Sequence, residues 1–138
     1  MEVSEDIVDR LHIDETNLDK GCLEQPSLTG YIQDLYTDAQ HEATKAEAQL
    51  KFIKARLYKN ISDDPRLYGI SKLSVDATNA AIERTPEYQE KKNEFIDLQY
   101  KANKLQGYVF AVANRKAMLQ ELVSLFKIGY FSEIRETE

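Results

Sequence analysis

The residues best suited to chemistry fall in one run, Lys51-Phe52-Ile53-Lys54-Ala55-Arg56-Leu57-Tyr58-Lys59, which holds four cations and no acid. Ammonium and guanidinium groups at this density can neutralise successive phosphates of a nucleic-acid backbone, and Tyr58 or Phe52 offers a face for stacking an unpaired base. The same charges would also suit the C-terminal end of a helix, where cations favour the macrodipole and solvate the outer surface. On a helix turning about 100° per residue with Leu57 inward, Lys51, Lys54 and Tyr58 share one flank of the inner seam. Phe52, Arg56 and Lys59 share the other. A strand that touched both flanks would meet the helix edge-on, or lie in a groove completed by a neighbouring subunit.

The remaining inventory argues against catalysis. His12 and His41 are the two histidines, and neither has Cys, His or carboxylate neighbours at the spacing of a metal site. The five glycines (Gly21, Gly30, Gly69, Gly107, Gly129) are isolated, so neither a P-loop nor a dinucleotide fingerprint can be drawn. Asp63-Asp64 precedes Pro65 and reads as a turn rather than an acid/base pair. Cys22 lies among acids and lacks the nearby positive charge that would activate a thiol. A non-enzymatic protein without metal or cofactor is expected.

These residues must be positioned by helices. Pro26-Ser27 precedes an apolar series at Leu28, Ile32, Leu35, Ala39, Ala43, Ala46, Leu50, Ile53 and Leu57, in steps of three and four that predict one helix over 28 to 60 with Ser27 as its N-cap. Asp63-Asp64-Pro65 ends it. Residues 62 to 73 read as a connection of loop and a short strand, with a turn at Gly69. Ser74 then caps a short helix, Val75 to Arg84, and Thr85-Pro86 restarts a long one over 86 to 127. Its seam runs Tyr88, Lys92, Phe95, Leu98, Ala102, Leu105, Val109, Val112, Lys116, Leu119, Val123 and Phe126, a heptad repeat in which the Lys116 ammonium must snorkel or pair. Gly129 stops the helix, Tyr130-Phe131 pack back on the bundle, and Glu133 to Glu138 fray.

The expected fold is therefore all-α: two long amphipathic helices in an antiparallel hairpin plus a short helix. Tyr108, Leu122 and Leu125 widen the second stripe beyond one seam, which calls for more than one neighbour and so for a closed homo-oligomer. The chain has 138 residues, 42% of them hydrophobic and 30% charged, the balance of a folded protein rather than a disordered one. Its single cysteine excludes a disulfide scaffold. The net charge of −6 lies wholly in residues 1 to 24, where Glu2, Glu5, Asp6, Asp9, Asp14, Glu15, Asp19 and Glu24 outnumber Arg10 and Lys20. An acidic N-terminal arm over 1 to 25 and a hairpin domain over 26 to 138 are the expected division, and the neutral body does not repel a polyanion. The acidic start and the absence of any run near ~18 apolar residues point to a soluble, cytoplasmic protein with no membrane partner.

Three pieces resemble the phage recombination mediators of the UvsY type: Ile13-Asp14-Glu15-Thr16-Asn17-Leu18; Pro26-Ser27-Leu28 with Tyr31 and Tyr36; and Glu47-Ala48-Gln49 leading into Lys54-Ala55-Arg56-Leu57. They cover residues 13 to 59. After Leu57 the family tends to show Tyr-Tyr then Gly, where this chain has Tyr58-Lys59-Asn60. The resemblance implies a protein that binds single-stranded DNA and contacts a RecA-like recombinase and a single-strand-binding protein. It also implies a closed ring, heptameric in the family, in the host cell cytoplasm if the protein is phage-encoded. The family's DNA-binding Lys and Arg correspond to Lys54 and Arg56, with Lys51, Tyr58 and Lys59 completing the expected surface. The competing reading is an architectural helical oligomer that touches no nucleic acid.

Overall fold

The computed structural model describes residues 2 to 130, and among them every regular element is helical. Four α-helices follow in order: α1 (Glu2–Leu11), α2 (Leu18–Asp63), α3 (Val75–Arg84) and α4 (Pro86–Lys127). The expected behaviour of Phe131 and of Glu133 to Glu138 lies outside the described residues. The chain divides into two compact units, one of residues 1 to 37 with 103 to 138, the other of residues 38 to 102. That division cuts across the boundary expected between residues 25 and 26.

In the first unit the acidic segment is not a separate arm. Helix α1 buries Ile7 completely, and the Arg10 guanidinium lies 4.8 Å from the centre of the Tyr31 ring on α2, a cation–π contact. Helix α2 begins at Leu18, ten residues before the expected first apolar position at Leu28. Its start is set by a local turn: the Asp14 carboxylate accepts from the Thr16 backbone N–H at 2.9 Å and the Thr16 hydroxyl at 2.6 Å. The Asn17 carbonyl then takes the first helical bond, from the Gly21 N–H. Those hydrogen bonds from Thr16 hold the Asp14 carboxyl below its ordinary range.

Pro26 lies inside α2 instead of opening it, and Ser27 is not a cap. Proline removes one backbone donor from a helix, here the one that would meet the Cys22 carbonyl, and other carbonyls of this stretch accept from side chains. The Ser27 hydroxyl donates to the Glu24 carbonyl at 3.0 Å, Thr29 to the Gln25 carbonyl at 2.9 Å, and Arg115 to the Gly21 carbonyl at 3.4 Å. Gly21 and Gln25 meet Leu119, Arg115 and Val112 of α4 in that order, so the two long helices run antiparallel here. Leu28, Ile32, Leu105, Val112 and Leu119 are buried in this unit.

Arg115, not Lys116, is the inward cation of α4. The two residues flank the seam between Val112 and Leu119, and the guanidinium on one side finds the Gln25 amide oxygen at 2.5 Å as well as the Gly21 carbonyl. The flank that carries Arg115 is the one that meets these acceptors on α2. Lys116 is exposed and lines an open groove of about 490 Å³ with Cys22, Pro26, Val123 and Lys127. Lys92 and Phe126, also expected in the seam, are not buried in it: both are exposed.

The second unit has an aliphatic interior. Ile53, Leu57 and Ile61 of α2, Ile70 of the connection, Ala81 and Ile82 of α3, and Tyr88 of α4 form one buried cluster, with Leu50, Tyr68 and Ala77 packed against it. Ile61 and Ile82 are almost wholly enclosed, and burying each contributes about 1.5–3 kcal/mol. The connection contains no strand: Pro65–Tyr68 forms a 3-10 turn that closes at Gly69 with φ 75°, a left-handed conformation suited to glycine. The two bonds that close it run from the Gly69 N–H to the Arg66 carbonyl and from the Ile70 N–H to the Pro65 carbonyl. They set Ile70 into the cluster. Ser74 caps α3 by accepting from the Ala77 N–H at 3.1 Å, and α4 starts at Pro86, both where the sequence puts them.

Candidate nucleic-acid interface

The basic run lies in the second unit on the outer surface of α2. Ile53 and Leu57 anchor it in the core while Lys51, Lys54, Arg56, Tyr58 and Lys59 are all exposed. Phe52 is more open than Tyr58, 69% against 44%, so both aromatic faces are accessible to a base on opposite flanks of the helix. The two flanks differ in what borders them. On the Phe52 and Arg56 side lies α4: Phe52 forms one wall of an open groove of about 400 Å³ with Ala48, Gln49, Ile53 and Lys91. Lys91 is itself held by Glu94 at 3.3 Å.

The cations are not equally free. The Lys51 ammonium is 3.3 Å from the Glu47 carboxylate one turn earlier on α2. Arg56 donates to the Glu87 carboxylate in the first turn of α4. Lys54 and Lys59 have no ion-pair partner among the described residues. The sequence pattern places the five residues on the correct helix but leaves out both carboxylates. Glu47 is readable from its four-residue spacing to Lys51. Glu87 is not, since it belongs to another helix and no local pattern joins it to Arg56.

The position of the run along α2 also bears on why it exists. The helix continues through Asn60, Ile61 and Ser62 to Asp63, and its last turn contains no basic residue. A macrodipole effect falls off within the last turn, so it does not explain four cations that end before that turn begins.

No three His, Cys, Asp or Glu side chains cluster as a metal site among the described residues. None of the described helices is long and apolar enough to cross a membrane. Comparison with protein-family models, with curated proteins and with solved structures finds no match for this chain.

Proposed function

We propose that the protein is a recombination mediator: it binds single-stranded DNA and promotes loading of a RecA-like recombinase onto strand covered by a single-strand-binding protein. The observation that carries this reading is the exposed cationic run of α2, which lies before the helix's last turn, with Lys54 and Lys59 unpaired among the described residues and an aromatic face on each flank. Phosphates bind such a strip without regard to sequence, and stacking is tolerant of base identity because every base has a π-face. The recombinase and the single-strand-binding protein enter only through the UvsY-type resemblance of residues 13 to 59, as does a ring of subunits. A ring would turn a weak strip into a strong binder, because linked sites act through effective concentration.

Fluorescence anisotropy with single-stranded and duplex oligonucleotides across a salt series tests this directly. Lys54→Ala with Arg56→Ala should weaken single-strand binding for all sequences alike. The slope of log affinity against log salt should become shallower by about 0.7 for each phosphate that is no longer neutralised. Tyr58→Ala should cost roughly 1–3 kcal/mol of affinity with the slope nearly unchanged, as expected for a stacked base. A double variant with wild-type affinity and slope removes the strip from the interface and the mediator reading with it.

The second reading, an architectural oligomer, is favoured by apolar side chains on the outside of α4, Ile96 and Tyr100 in one unit and Phe110 and Met118 in the other. On that reading the protein assembles, seen by light scattering, and binds no DNA even at low salt.

A further inference from the structure

We infer that Glu87 is a built-in stand-in for a DNA phosphate, occupying Arg56 in the free protein and setting how strongly the strip holds a strand. This rests on the single-strand-binding reading above and adds a residue that the sequence of the strip does not contain.

The Arg56–Glu87 pair does little for stability. Both side chains are about half exposed, 45% and 47%, and pairs in that setting add little to a fold already held by the aliphatic cluster beneath. Its effect on the strip is larger. Arg56 is the only guanidinium in the run, the group best shaped to take a phosphate with two parallel hydrogen bonds, and a carboxylate offers it the same two-oxygen geometry. Glu87 is also fixed in place: it stands in the first turn of α4, directly after Pro86, where a carboxylate is favoured by the helix N-terminus. The Glu47–Lys51 pair is different in kind, since any helix brings residues four apart together. The Arg56–Glu87 pair exists only because the fold brings α4 against α2.

A strand that takes the edge of Arg56 that Glu87 holds must displace it, and the freed carboxylate then stands near the incoming phosphate and repels it. Binding at Arg56 is an exchange of one anion for another rather than the capture of a free cation. The strand is held more weakly and released more readily than four cations alone would allow. Such exchange suits a protein that must pass its strand on.

Anisotropy with a labelled oligothymidylate across a salt series, on the full chain, tests the inference. Glu87→Gln keeps size and polarity, and circular dichroism should show the helicity unchanged. It should bind several-fold more tightly than wild type, with a salt slope steeper by about 0.7 per subunit engaged, because free Arg56 neutralises one more phosphate. Adding Arg56→Ala should abolish both gains. Glu24→Gln in the other unit alters net charge equally and should change neither quantity. A Glu87→Gln protein with wild-type affinity and slope, or a gain matched by Glu24→Gln, overturns the inference while leaving DNA binding by the wild type intact. Absence of binding by wild type and Glu87→Gln alike sinks the inference and the mediator reading together.

Discussion

The two units are built from stretches of the same two helices, yet they fill their interiors differently. Residues 38 to 102 enclose an aliphatic cluster to which α3 and the Gly69 turn both contribute, and leave their cations on the outside. The other unit encloses a cation. Arg115 is 5% exposed, its terminal nitrogen reaches two carbonyl oxygens, and its Nε has no partner among the described residues. A buried charge without a carboxylate beside it is expensive unless its hydrogen bonds are satisfied. One unit is thus held by apolar packing and the other partly by a polar network that fixes register at Gln25. Charge is available for outside work only where the core does not use it.

That contrast can be broken at its strongest point first. Ile61→Ala removes a fully enclosed side chain from the aliphatic cluster and should destabilise by about 2–5 kcal/mol, read by urea denaturation. In the other unit, Arg115→Ala leaves a void and takes the donor from the Gln25 oxygen, and should cost about 1–3 kcal/mol. Arg115→Met keeps the stem and removes the charge, and should recover most of that loss. If Met proves as harmful as Ala, the guanidinium's hydrogen bonds outweigh its burial cost, and the polar network stabilises as well as specifies.

The smallest effect concerns pH and the start of α2. The Asp14 carboxyl titrates below its ordinary range because Thr16 donates to it from hydroxyl and backbone. Its folded value is lower than its unfolded one, so its contribution to the turn is complete above the ordinary carboxylate range and is lost as acid takes the pH down through the depressed value. NMR should show the Thr16 amide resonance moving at a pH below the ordinary carboxylate range, and Thr16→Val should bring the Asp14 midpoint back up.

Much of the helical scaffold is legible in the sequence because its signals are local. Ser74 and Thr85-Pro86 mark the starts of α3 and α4 with caps that act within one turn, and the structure puts both helices at those residues. Pro26 misleads for the same reason: proline is common at the first position of a helix, and here it stands eight residues inside one. The choice between Arg115 and Lys116 is not legible, since both flank the same seam and acceptors on α2 decide between them. The basic run stands out because it is contiguous. Its carboxylate from α4 does not, because residues 56 and 87 meet only once the chain has folded.

Cys22 gives the chain an experimental handle. It is the sole cysteine, exposed on α2 in the unit that does not carry the basic run. A maleimide spin label would therefore attach at one place per subunit, outside the unit that holds Lys54 and Arg56. In a closed ring of identical subunits the labels form a regular polygon. The ratio of the next-neighbour distance to the neighbour distance rises with the number of corners, so pulsed dipolar spectroscopy on one labelled sample counts the subunits without reference to their mass.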